Sequence, residues 1–170
     1  MKIAIIGYSG AGKSTLAETL SNYYSIPKLH MDTLQFQPGW QDSDREWMLS
    51  EMKNFLTKHE AWVIDGNYSW CCYEERMQEA DQIIFLNFSP WTCLFRAFKR
   101  YLTYRGKVRE SMAAGCPERF DFEFIRWILW DGRTKNAKER YQWVQETYPE
   151  KVIVLRSQKE MDRQLINMSK

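Results

Sequence analysis

The segment that most constrains this chain is Gly7-Tyr8-Ser9-Gly10-Ala11-Gly12-Lys13-Ser14, followed by Thr15. It fits the spacing GxxxxGK[ST] and lies between a continuous apolar run, Ile3-Ala4-Ile5-Ile6, and an amphipathic pattern from Lys13 to Tyr24. A continuous apolar run suits a strand covered on both faces. Glycines let the following turn fold back so that successive N–H groups converge on phosphate oxygens, and the next helix adds the positive end of its dipole. Lys13 supplies a mobile cation for β- and γ-phosphates, and the Ser14 hydroxyl suits Mg²⁺. Residues 7–15 are therefore expected to bind ATP. The competing reading is a glycine-rich turn that holds no ligand. An Asn-Lys-x-Asp base-reading motif, which a GTPase needs, is absent from the sequence.

Short apolar runs recur at Trp62-Val63-Ile64, Ile83-Ile84-Phe85-Leu86 and Val152-Ile153-Val154-Leu155, with a weaker one at Ile26–His30, where Pro27 fits only a strand start. Helical patterns span Lys13–Tyr24, Asp44–Lys58, Tyr73–Ala80, Pro90–Tyr104, Asp121–Glu146 and Gln158–Asn167, with Asp131-Gly132 breaking the long fifth pattern. Strands alternating with helices predict an α/β chain around a five-stranded parallel sheet. We read residues 1–170 as one domain with an acceptor-side insertion at about 32–60 and a second at about 105–120.

Composition narrows the class. With 44% hydrophobic and 27% charged residues the chain reads as soluble and globular, and a net charge of +2 is too small for a polyanion-binding surface. No apolar run approaches the ~20 residues of a membrane span, and the N-terminus carries no signal-peptide pattern. Cys71, Cys72, Cys93 and Cys116 form no CxxC pair, which fits reduced thiols in a cytoplasmic protein.

Carboxylates complete the phosphate chemistry. Asp65 ends the run Trp62–Ile64, at the strand end that faces the ligand crevice of a parallel sheet. It is a candidate Mg²⁺ residue, or the start of a turn with Gly66. Asp32 follows the short run ending at His30 and would face the same crevice, either as the residue that takes the acceptor's proton or as a helix cap. His30 reads as structural. The segment Arg96–Arg109 holds Arg96, Lys99, Arg100, Arg105, Lys107 and Arg109 without an acid, and Arg119, Arg126, Arg133 and Lys135 follow. Between them Gly106–Pro117 has little apolar periodicity, so we expect a mobile lid with few buried contacts, closing arginines onto phosphates. The alternative is a solvated basic face. Trp127, Trp130 and Tyr141 fall on helical spacings and are expected in the core, as is Trp47. Phe36 and Trp40 are candidates to line an acceptor pocket.

The segments IIGYSGAGKSTLA, IPKLHMD, WVIDGNYS, IIFLNFSPWTCLFRAFKRYLTYRGKVR, GCPERFD and VIVLRSQKE together resemble the FlaR-type DNA topology modulation proteins, a branch of the adenylate-kinase-like P-loop kinases. The resemblance implies a three-layer αβα P-loop NTPase fold with strand order 2-3-1-4-5 and a lid insertion. It also implies a phosphate loop at Gly7–Ser14, an adenine- and phosphate-facing pair at Arg96 and Arg100, lid arginines at Arg119 and Arg133, a metal-side Asp65, and an adenine-edge backbone at Arg156. After Asp65-Gly66, adenylate kinases carry Phe-Pro-Arg, the arginine gripping the acceptor phosphate. Here Asn67-Tyr68-Ser69 replaces it and Trp70 follows. The acceptor is then either not a nucleotide or has its phosphate held by Arg45 or Arg76, with Asn67 beside it. The lid offers only Cys116, so no structural zinc is expected.

The expected protein is an ATP- and Mg²⁺-dependent small-molecule kinase with Lys13, Asp32, Arg100, Arg119 and Arg133 as its catalytic residues and Ser14 and Asp65 as its metal residues. Its partner is a small-molecule phosphoryl acceptor, with no membrane association and no direct nucleic-acid binding expected. The sequence leaves the oligomeric state open between monomer and dimer. The alternatives are a nucleotide-dependent regulatory or DNA-associated protein that binds ATP without transfer, and simple ATP hydrolysis.

Overall fold

The computed structural model describes residues 1–168; residues 169 and 170 of the expected domain lie outside the described residues. The phosphate-loop strand β1 (Lys2–Gly7) is the centre of the sheet. On one side it pairs in parallel with β5 (Trp62–Asp65), which pairs with β2 (Lys28–His30); on the other it pairs with β6 (Gln82–Leu86), which pairs with β7 (Val152–Leu155). Counting these five strands alone, the order is 2-3-1-4-5, as expected. Ile3, Ala4, Ile5 and Ile6 are all 1% exposed or less. Burying each isoleucine contributes roughly 1.5–3 kcal/mol, which explains an unbroken apolar run where an exposed strand would alternate.

Helices flank the sheet. α1 (Lys13–Tyr24) leaves the phosphate loop directly and buries Leu16, Ala17 and Leu20. α3 (Arg45–Lys58) starts at Asp44, whose side chain accepts from the Trp47 amide, and α5 (Pro90–Tyr104) starts at Ser89 with proline in its first turn. The long fifth pattern is broken as Asp131-Gly132 implied: α6 (Phe122–Leu129), one 3₁₀ turn (Asp131–Arg133), then α7 (Lys135–Thr147). A Cβ on Gly132 would sit 2.9 Å from the Trp127 carbonyl oxygen, so this tight break requires glycine. α4 (Tyr73–Glu79) and α8 (Gln158–Met168) complete the set. No helix among the described residues is long and apolar enough to cross a membrane.

Two expectations are corrected, and one insertion holds elements beyond those expected. Trp47 is 46% exposed, because α3 buries Met48, Met52 and Leu56 instead. The first insertion contains a short helix α2 (Met31–Gln35) and a two-stranded antiparallel ribbon, β3 (Phe36–Gln37) with β4 (Gln41–Asp42). These elements are too short for periodicity to reveal. Segment 105–120 does hold buried contacts: Met112, Ala113 and Cys116 form a separate small cluster against Phe36 and Trp40 of the ribbon. The Gly39 amide donates to the Gly115 carbonyl at 3.0 Å, and the Cys116 thiol to the Gln37 carbonyl at 3.1 Å. The lid segment and the acceptor-side ribbon thus meet each other.

Candidate active site

A cavity of about 1000 Å³ opens over the C-terminal ends of β1, β2 and β5, with the phosphate loop among its walls. Gly10 and Gly12 have φ of +80° and +97°, and a Cβ on Gly10 would meet the Cys93 carbonyl oxygen at 2.5 Å. Only glycine keeps this loop both left-handed and close to α5. Lys13 Nζ donates to the carbonyls of Gly7 at 2.9 Å and Tyr8 at 3.2 Å. Desolvation holds its pKa below the ordinary lysine value, opposed by the attraction of Asp32 and Asp65.

Ser14 Oγ donates to Asp65 Oδ2 at 2.9 Å, and Asp65 Oδ1 lies 2.5 Å from His30 Nδ1. His30 and Asp65 are register partners on β2 and β5, so the sheet itself sets this contact. The pair fits Mg²⁺: two oxygen donors side by side, one fixed from behind by an imidazole. Asn67 Oδ1 accepts from the Gly7 amide at 3.0 Å while its Nδ2 donates to the Gly7 carbonyl. Asn67 therefore braces the loop's first residue as well as lining the cavity.

Asp32 lies in the first turn of α2, whose N-cap position, His30, makes no side-chain cap bond. The cap reading is thereby removed: Asp32 lines the cavity and its Oδ1 accepts from Tyr68 Oη at 2.7 Å. Burial, the Asp32 charge and the bond to it raise the Tyr68 pKa, so the phenol stays a donor.

The arginines divide into two groups. Arg96 lines the cavity beside Gly12, stacks 5.1 Å over Phe88 and hydrogen-bonds Gln158. Arg100 lines it with its Nη2 2.7 Å from Glu118 Oε1, and Arg119 lines it 4.5 Å over the Trp40 ring. Two others are corrected. Arg133 is absent from the cavity wall: it donates to the Ile128 and Phe88 carbonyls and lies 3.7 Å over Tyr8, stapling the break between α6 and α7 to the loop's far side. Arg76 is 0% exposed and donates to the carbonyls of Cys71, Gly66 and Tyr68, with desolvation lowering its pKa to about 10. It shapes the loop after β5 from beneath and does not face an acceptor. Arg45 is also off the wall, stacked 5.2 Å over Trp70, and the Arg156 amide is taken by Glu160 at 2.7 Å.

Trp127 and Glu118 line the cavity without a signal in the sequence that pointed there. Trp127 is 49% exposed, not core, and its Nε1 donates to Ser9 Oγ at 3.0 Å; Trp130, also expected in the core, is 63% exposed. Tyr141 is buried as expected, stacked 4.4 Å from Phe85. Glu118, from the lid segment, is buried between Arg100 and Arg109. Phe36 and Trp40 line the cavity, edge to face at 5.2 Å.

No family model matches the chain, and no curated protein matches it. Solved structures do. Deoxyadenosine kinase from M. mycoides, with products dCMP and a flexible dCDP bound, superposes with a TM-score of 0.52 at 18% identity, covering 99% of this chain and 98% of that one. Shikimate kinase from Bacteroides thetaiotaomicron superposes with a TM-score of 0.53 at 17% identity, covering 99% and 95%. The likeness shows the fold alone, an αβα architecture that this chain shares with both kinases.

Proposed function

We propose that the protein is an ATP- and Mg²⁺-dependent phosphotransferase acting on a small-molecule acceptor, in the cytoplasm, and that it belongs to the FlaR-type branch its motifs resemble. The observation that carries the kinase reading is the Ser14–Asp65 contact beside a phosphate loop, with Asp32 on the same cavity. A loop of this kind grips phosphates through its amides and Lys13. Two of its structural neighbours, kinases of deoxyadenosine and of shikimate, support the same reaction class at the level of fold.

Bound between Ser14 and Asp65, Mg²⁺ would neutralise charge on the phosphate oxygens. His30 keeps the Asp65 carboxylate turned toward Ser14. In transfer, Asp32 accepts the proton of the acceptor hydroxyl as its oxygen bonds the γ-phosphorus; the bond from that phosphorus to the β–γ bridging oxygen breaks and ADP leaves. Tyr68 holds Asp32 in place through Oδ1. Arg100 and Arg119 supply positive charge from the lid side, and Arg96 lies against the loop where it serves the nucleotide.

Two measurements test this. Mg-ATP should raise the thermal midpoint of the parent and not of Lys13→Ala. With γ-labelled ATP and the small-molecule fraction of a cell extract, label should pass to an organic product. Label released only as inorganic phosphate would make the protein a hydrolase, and none released at all would favour the nucleotide-dependent binder.

A further inference from the structure

We infer that the acceptor carries no phosphate: it is a neutral hydroxyl compound with a flat ring body. This rests on the kinase reading and concerns the half of the cavity built by β2, α2, the ribbon, α3, β5 and α4. The basic residues of that half are Lys28, Arg45, Lys53, Lys58 and Arg76, and none reaches the cavity wall. Lys28 is paired with Glu18 at 2.5 Å, Arg45 covers the Trp70 ring, and Arg76 is buried on three carbonyls.

The same half presents two carboxylates, Asp65 and Asp32. With Asp65 given to the metal, Asp32 is the charge left for the acceptor, and a phosphate dianion against it would meet repulsion offset only by arginines already paired with Glu118 and Asp121. The cations that do line the cavity come from the loop and the opposite half. Of these, Arg100 of α5 and Arg109 of the lid segment share Glu118, while Arg119 lies over Trp40 of the ribbon and 3.6 Å from Asp121.

Shape agrees with charge. Phe36 with Trp40, and Tyr68 with Trp70, form two edge-to-face pairs on the wall, at 5.2 Å and 6.5 Å. Such pairs offer ring faces and edges to a flat molecule. Asp32 lies on this wall, where a hydroxyl on that ring body meets a proton acceptor. A planar alcohol is therefore matched on both counts, and its phosphate ester on one.

The experiment is a matched panel: nucleosides and other ring-bearing alcohols, each alongside its monophosphate, with ADP release measured in Mg-ATP. One or more free alcohols should be turned over with kcat/KM at least ~100-fold above the matching monophosphate. Gln35→Arg, which places a cation on the wall next to Asp32, should narrow that ratio by at least ~10-fold. A monophosphate used as well as or better than its alcohol overturns the inference and keeps the kinase reading. No stimulation by any member, with Mg-ATP still stabilising the parent and not Lys13→Ala, overturns both in favour of a binder.

Discussion

Oε2 of Glu118 lies 2.5 Å from Nε of Arg109, while its Oε1 takes Arg100 at 2.9 Å. One buried carboxylate thus holds together arginines from α5 and from the lid segment, both of which line the cavity. Two guanidinium groups this close repel unless an anion stands between them, and in the absence of nucleotide Glu118 is that anion.

Glu118→Gln keeps the shape and removes the charge. Breaking a mostly buried ion network costs about 1–3 kcal/mol where water partly compensates, so the thermal midpoint should fall. Amide exchange in residues 105–120 should speed up. Mg-ATP should stabilise the variant by more than it stabilises the parent, because the triphosphate supplies the missing anion. Exchange in that segment equal to the parent's would show that Glu118 does not hold it.

Lys13→Met tests the loop through pH. Desolvation lowers the folded pKa of Lys13 below its unfolded value, so the unfolded chain binds more protons between the two. The parent is thus penalised at neutral pH, and the penalty fades as pH rises through the folded pKa toward the unfolded value. Lys13→Met should be at least as stable as the parent at pH 7, with the gap shrinking on the alkaline side, while stabilisation by Mg-ATP disappears. A variant clearly less stable at pH 7 would make Lys13 a structural residue held by the Gly7 and Tyr8 carbonyls.

Asp32→Asn and Tyr68→Phe separate the base from its support. Asp32→Asn should leave the Mg-ATP affinity nearly unchanged and lower transfer by ~10²-fold or more. Tyr68→Phe removes one hydrogen bond from the carboxylate, frees it to rotate away from the acceptor, and should lower kcat by less than Asp32→Asn while raising the acceptor KM. Equal losses of kcat in both variants, with the thermal midpoint falling in each, would mean that the pair acts as a structural link between α2 and the loop after β5.

How far the sequence could be read depends on whether a residue's role is local. The loop, Asp65 and the parallel sheet follow from contiguous runs and their alternation, the strand order from the family resemblance, and the structure brings Ser14 and Asp65 to hydrogen-bonding distance. Arginine carries the opposite lesson. Helical spacing cannot distinguish Arg76, with no exposed surface, from an arginine facing a ligand, because arginine is rarely fully buried and its carbonyl partners lie on a turn with no periodicity. Arg133 fails for the same reason: its partners Phe88 and Cys93 lie 45 and 40 positions away. The ribbon strands have two residues each, too few to show alternation. Trp127 is helical in spacing yet exposed, since a short amphipathic helix over a cavity keeps part of its apolar face open, and Trp130 follows that helix as its C-cap residue, outside the apolar face.

Arg76→Met is the sharpest test of that reassignment. It removes the donors to three carbonyls from a fully buried site, for an expected loss of about 3 kcal/mol, and loosens the segment that carries Asn67 and Tyr68. Arg76→Lys restores the charge but not the three-way fork, and should recover less than half of the loss. If both variants are as stable as the parent and only acceptor KM rises, Arg76 is a ligand residue after all.

The contact between lid segment and ribbon gives the last prediction. Gly115 has φ +75°, and a Cβ there would fall 2.8 Å from Pro38 Cβ, so Gly115→Ala strains the backbone and pushes the segment off the ribbon. None of the cavity arginines is touched by the change. If this contact closes the cavity, amide exchange of residues 105–120 should be faster in the variant without nucleotide, and Mg-ATP should slow it in both proteins, since the bound triphosphate favours the form in which Arg100 and Arg109 converge. Mg-ATP affinity should fall by a few-fold and acceptor-independent ATP hydrolysis should rise, because a looser lid admits water. The Met112, Ala113 and Cys116 cluster against Phe36 and Trp40 makes the unliganded segment partly protected from the start. Exchange that is identical in parent and variant, with and without Mg-ATP, would make this cluster a fixed bridge between the two insertions, and the cavity would then have to fill and empty along another side.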